Sequence, residues 1–180
     1  MNRTVKTLFL SFLFAIALVS CKNEGSIQTY FVEHQDLPDF KMIDISAKMI
    51  DISKTDLSEE QKETFNALEK INFLGYRVKE GKLEDYKKEL EQAKTVFKNE
   101  DYNELMEFSS NGTKFRISSI GTDEVVDEIL VLASSEETGF GVVRVLGNKM
   151  NPEKMVKLVG DLQNADVDKN QLEDIMNFFK

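Results

Sequence analysis

The chemistry available to this chain rests on few residues. Cys21 is its one cysteine and His34 its one histidine; there is no tryptophan, and 32 Asp and Glu face 23 Lys and Arg in 180 residues. Triads built on histidine and histidine-rich zinc sites therefore lack their usual parts. A pair of carboxylates could act as acid and base, as in glycosidases, but among so many acidic residues such pairs arise by chance. His34 lies in a polar stretch and is expected to be an exposed bystander. Asp166-Val167-Asp168-Lys169-Asn170 imitates the opening of a calcium-binding loop. Gln171 then stands where the sharp turn needs glycine, and Asn177 where a bidentate Glu belongs, so a turn with a helix cap is expected. Gly139-Phe140-Gly141 has no Gly-Lys-Ser or Gly-Lys-Thr after it and reads as a turn glycine and a strand glycine. No catalytic residue, cofactor or metal ligand is assigned.

Cys21 is different, because its surroundings name a chemistry. Arg3 and Lys6 give a positive start, and Leu8 to Val19 form an apolar run broken only by Ser11, the pattern of a secretory signal. A run of about a dozen residues is short for roughly 30 Å of hydrocarbon, so cleavage is favoured over an uncleaved membrane anchor. Leu18-Val19-Ser20-Cys21 resembles the lipobox of bacterial lipoproteins: an aliphatic residue, a tolerated second position, a small residue and the cysteine. Ser20 lets a peptidase reach the bond before Cys21, whose thiol accepts a diacylglyceryl group. An exported protein with one cysteine would otherwise carry an unpaired thiol. Two or three acyl chains on one residue make a stable anchor. Lys22, in place of the Asp that retains some lipoproteins at the inner membrane, favours the outer membrane. The expected organisation is a signal peptide over 1–20, a lipidated cysteine and tether over 21–27, and one α+β domain over 28–180.

After the leader is removed, roughly 160 residues remain, enough to bury a core without disulfides or metal. The net charge of −9 argues against a nucleic-acid partner and against an anionic membrane surface. It is read first as a solubility device, and second as an acidic face for a basic partner.

The elements that would position any site follow from periodicity. A short helix or extended piece is expected from Ile27 to Glu33, and alternation predicts a strand over Phe40 to Ala47. The hexapeptide Lys-Met-Ile-Asp-Ile-Ser occurs at 41–46 and again at 48–53, and is read as coincidence. Ser58-Glu59-Glu60-Gln61 has the form of a capping box, opening a helix that Phe65, Leu68 and Ile71 continue. Phe73 to Val78 reads as the next strand. Leu83, Tyr86, Leu90, Ala93 and Phe97 recur at three- and four-residue steps, the core stripe of a long helix. Four strands follow, Tyr102 to Ser109, Thr113 to Ile120, Val125 to Ser134 and Phe140 to Leu146, as an antiparallel meander. Asn111-Gly112 signals a type I′ hairpin, which is preferred over a glycosylation reading of Asn111-Gly112-Thr113. Asn151-Pro152 starts a helix with Met155, Leu158, Val159 and Leu162 inward. A last helix is expected from Asp168, with Leu172, Ile175, Met176 and Phe179 on one side. The order predicts an α+β fold: a two-layer sandwich of a largely antiparallel sheet packed with helices.

Tyr102-Asn103-Glu104-Leu105-Met106, Lys114-Phe115-Arg116-Ile117, Glu128-Ile129-Leu130-Val131-Leu132 and Val142-Val143-Arg144-Val145-Leu146-Gly147 resemble successive blocks of a family of small envelope lipoproteins from Bacteroidota, the domain of unknown function four-two-five-two. The resemblance covers about Ser26 to Asp161. It implies an envelope location and this fold, and brings no reaction with it. Function is accordingly expected to be that of a membrane-anchored, non-enzymatic binding or accessory module. Such a module would recognise an envelope protein, a peptide or a cell-wall component through the sheet face or a strand edge. The alternative is a carboxylate-dependent hydrolase of the cell envelope.

Overall fold

The computed structural model describes residues 26–53, 55–98, 101–162 and 177–179. The expected leader, the expected lipobox at Leu18 to Cys21 and the part of the expected tether up to Gly25 lie outside the described residues. So do the calcium-loop imitation at 166–170 and the expected last helix up to Met176.

The fold begins at Ser26, whose Oγ accepts the Thr29 N–H at 3.2 Å and caps helix α1, Ile27–His34. Ile27, Tyr30, Phe31 and His34 are buried at i, i+3, i+4 and i+7, one stripe of the helix. Strand β1, Phe40–Ser46, leads into a short 3-10 turn, Ala47–Met49. Helix α2, Glu59–Asn66, opens on the expected capping box: the Gln61 N–H donates to Ser58 Oγ, and the Ser58 N–H to Gln61 Oε1 at 2.7 Å. Strand β2 is Leu68–Arg77, helix α3 Leu83–Val96, strands β3 to β6 are Asn103–Ser110, Thr113–Gly121, Val126–Ser135 and Gly139–Met150, and helix α4 is Pro152–Leu162.

Two boundaries differ from the expectation. Leu68 and Ile71 belong to β2, not to the helix before it: Leu68 pairs with Gly147, and Ile71 lies between Ile45 and Val145. Pairing with β6 from Leu68 and with β1 from Lys70 satisfies the backbone polar groups of the strand, and the three-residue spacing of Phe65, Leu68 and Ile71 spans two elements by accident. β6 runs on to Met150, because Met150 pairs with Val126 beyond a bulge.

The sheet has the order β1-β2-β6-β5-β4-β3, and every pair is antiparallel. β3 to β6 are the expected meander, and β2 docks on its open side beside β6. Alternation then sorts the core. On one face Leu74, Tyr76, Leu130, Leu132, Phe140 and Val142 meet α1 and α3. From the other face Ile129, Val131 and Val145 join Phe65 of α2 and Met155 and Leu158 of α4. The α3 stripe is buried at Tyr86, Leu90, Ala93, Val96 and Phe97, whereas Leu83, in the first turn, is 39% exposed. The result is the α+β sandwich, an antiparallel sheet packed with helices.

Candidate functional site

α3 packs on the middle of the sheet and leaves the outer strand β3 bare. β3 is an edge strand, and each of its eight residues is exposed, including Leu105, Met106 and Phe108. The hairpin that places it turns at Asn111 and Gly112, with φ of 50° and 79°, the two positive angles of a type I′ turn. Counted back from this two-residue turn, Ser110 and Phe108 bond inward to β4, while Ser109 and Glu107 turn their backbone N–H and C=O to solvent. A bulge between Glu104 and Met106 ends this regular stretch.

Side chains sharpen the two sides of the edge. On the α2/α4 face Phe108 stacks on Phe115, with ring centroids 4.9 Å apart. On the α1/α3 face Arg116 lies 2.6 Å from Glu107 and 3.6 Å from Glu104. Hydrogen bonding to Arg116 first, and its charge second, holds the Glu107 carboxyl below its usual range. The Arg116 charge offsets part of the negative charge that Glu104 and Glu107 place on the edge. Behind it an open groove of about 640 Å³ lies between α3 and strands β3 to β5, lined by Tyr86, Leu90 and Leu132 and by charged side chains of both signs.

A family model described as Domain of unknown function (DUF4252) matches residues 30–158. The chain belongs to this family. No curated protein and no solved structure matches it. The DUF4252 match spans all six strands and runs from the middle of α1 into α4, within the 26–161 span expected from the apolar blocks.

Inside the DUF4252 domain the sheet holds a buried charged cluster that the periodicity did not reveal. Arg144 donates from Nε to Glu128 Oε1 at 2.9 Å and from Nη2 to Glu128 Oε2 at 2.7 Å, and the Tyr102 hydroxyl donates to the same Oε1. Glu128 is buried. Burial, then the bond to Glu128, raises the Tyr102 hydroxyl far above the ordinary tyrosine range. Both oxygens of Glu128 are engaged, which suits a structural clamp and not a proton-transfer group. The available signal was a charge at an inward position of apolar alternation: Glu128 before Leu130 and Leu132, and Arg144 between Val142 and Leu146.

His34 corrects the reading of an exposed bystander. It is buried, its Nδ1 donates to the Tyr30 carbonyl at 2.7 Å, its ring lies 4.1 Å from Tyr30 and 4.9 Å from Phe40, and its Nε2 is 3.7 Å from Glu89 of α3. Its sequence neighbours are polar, but its place four residues after Tyr30 puts it on the buried stripe. Among the described residues no three His, Cys, Asp or Glu side chains converge as a metal ion would need, and no helix is long and apolar enough to cross a membrane.

Proposed function

We propose that this protein is a lipid-anchored component of the bacterial cell envelope, held at Cys21 with the outer membrane favoured, and that it serves as a non-enzymatic binding module. Its domain captures an extended segment of another envelope protein along the free edge β3. One observation carries the binding part: an eight-residue edge strand, exposed throughout, presents Leu105, Met106 and Phe108 beside unpaired backbone groups. Strand addition takes its affinity from such main-chain bonds and its specificity from alternate side chains. Edges of this kind are normally short, charged or covered, because they pair with other chains. The anchor is supported by the lipobox residues Leu18, Val19, Ser20 and Cys21 after an apolar run.

The test uses the full chain in its own cells, with the photo-crosslinking residue p-benzoylphenylalanine in place of Leu105. Illumination is expected to trap a partner, and Ser109→Pro, which removes an outward N–H, is expected to lower the yield several-fold. A probe at the exposed Lys88 on α3 should trap none of that partner. Equal yields from all three chains would overturn the strand-edge reading.

A further inference from the structure

On the α2/α4 face one row of the sheet has only glycine and alanine at its centre. The cross-strand register runs Gly75, Gly141, Ala133, Phe115 and Phe108 over β2, β6, β5, β4 and β3. Strands lie about 4.8 Å apart, so the Gly-Gly-Ala part makes a low strip about 10 Å across, close to the body width of a helix. The stacked Phe108 and Phe115 close it on one side. Beside it stands a row of half-buried apolar residues, Val143, Val131 and Ile117.

The chain itself returns to this strip. Phe73 lays its ring over the two glycines, and a Cβ on Gly75 would come within 2.7 Å of Phe73 Cζ and 2.9 Å of Phe178 Cε1. A Cβ on Gly141 would meet Phe73 at 2.9 Å and Phe179 at 3.7 Å. The Phe179 ring stands edge-on to Phe73 at 6.1 Å. α4 ends at Leu162 and the described chain resumes at Asn177, so fourteen residues connect the helix to a point already on the strip. In sequence they carry Leu172, Ile175 and Met176, which share a helical side with Phe179. The family match stops at residue 158, before all of this.

We infer that the occupant of the Gly75–Gly141–Ala133 strip is this chain's own C-terminal segment, residues 163–179, added beyond the family domain and seated by Phe178 and Phe179. The segment lies against a sheet face whose neighbouring row, Val143, Val131 and Ile117, is apolar. The strip is thereby closed to other proteins, and the free edge β3 remains for them; the inference itself does not depend on that edge binding anything.

The experiment places p-benzoylphenylalanine at Ile175 in the full chain and maps the crosslinks by mass spectrometry in a mixture of light and heavy-isotope chains. Crosslinks to β5 or β6 within one chain are expected, unchanged on dilution, and reduced several-fold by Phe178→Ala with Phe179→Ala. Crosslinks joining light to heavy chains would replace the inference with exchange between two copies. Crosslinks confined to other parts of the chain, or to a different protein, would overturn it.

Discussion

Glu128 and Arg144 are diagonal neighbours across β5 and β6: Glu128 pairs with Leu146, and Arg144 with Leu130, so both side chains emerge on the α1/α3 face. They meet in a two-bond clamp at 2.9 and 2.7 Å that Tyr102 completes from the start of β3. The clamp ties the chain before the edge strand to the middle of the sheet.

Breaking one side of such a pair leaves a buried charge without a partner. Glu128→Ala is expected to cost about 3 to 5 kcal/mol, whereas replacing both groups, Glu128→Leu with Arg144→Met, should recover most of that loss. Urea midpoints of the single and double variants measure the difference. A double variant no more stable than Glu128→Ala would show that the clamp contributes through something other than charge pairing.

All four tyrosines hold their phenolic protons more tightly than free tyrosine does. Burial is the first cause in each case, followed by the charge of Glu89 at Tyr30, Asp39 at Tyr76 and Glu136 at Tyr86, and by the bond to Glu128 at Tyr102. Above the ordinary tyrosine value of about 10, the unfolded chain loses protons that the folded chain keeps. Stability from this source is complete below that pH and falls as pH rises beyond it. The urea midpoint should therefore drop between about pH 9 and about pH 11, and Tyr102→Phe should flatten the drop. A flat profile in the wild type would contradict the assignment.

The α3 stripe offers a second stability test. Leu90 is 9% exposed and lies in the larger core cluster, so Leu90→Ala is expected to cost about 2 to 5 kcal/mol. Lys88 points to solvent, and Lys88→Ala should stay within about 0.5 kcal/mol. Denaturant titration separates the two, and an unchanged midpoint for Leu90→Ala would remove this helix from the core.

The anchor is tested by chemistry at one atom. Labelling with a fatty-acid analogue should mark the wild-type chain and leave Cys21→Ala and Cys21→Ser unmarked. Incorporation into all three would mean that the thiol of Cys21 is not the attachment point.

Local signals were legible wherever the determining interactions span a few residues. The capping box at Ser58 and Gln61, the Asn111-Gly112 turn, the Asn151 cap and the α3 stripe each rest on contacts within one turn of chain, and each is present in the fold. The cap at Asn151 is an Oδ1 that accepts the Lys154 N–H at 2.9 Å. What escaped were relationships between distant segments. His34 is buried because Phe40 and Glu89 close over it, and Glu128 is satisfied by a residue sixteen positions away. The edge role of β3 follows from β2 docking beside β6, a pairing of strands about seventy residues apart that no local pattern encodes.

The repeated hexapeptide separates the two kinds of information most sharply. Lys-Met-Ile-Asp-Ile-Ser at 41–46 lies in β1, where Ile43 faces Phe73, Ile45 faces Ile71, and Asp44 accepts from Lys70 at 2.7 Å and from Asn72. The same six residues at 48–53 enter a 3-10 turn and a loop; Met49 is 69% exposed, Ile50 and Ile52 lean on the second core cluster, and Asp51 accepts the Ser53 N–H at 2.9 Å. By itself the sequence determined the α+β class, the caps and turns and the long amphipathic helix. Alternation already placed a strand on the first copy; the tertiary structure decided that the second, with the same six residues, is not one. β2 has one open side left once β6 occupies the other, and the copy reaching it with Phe40 at its head also places that ring against Tyr76 and Phe140. Backbone pairing and aromatic packing then act on one copy and leave the other to the loop.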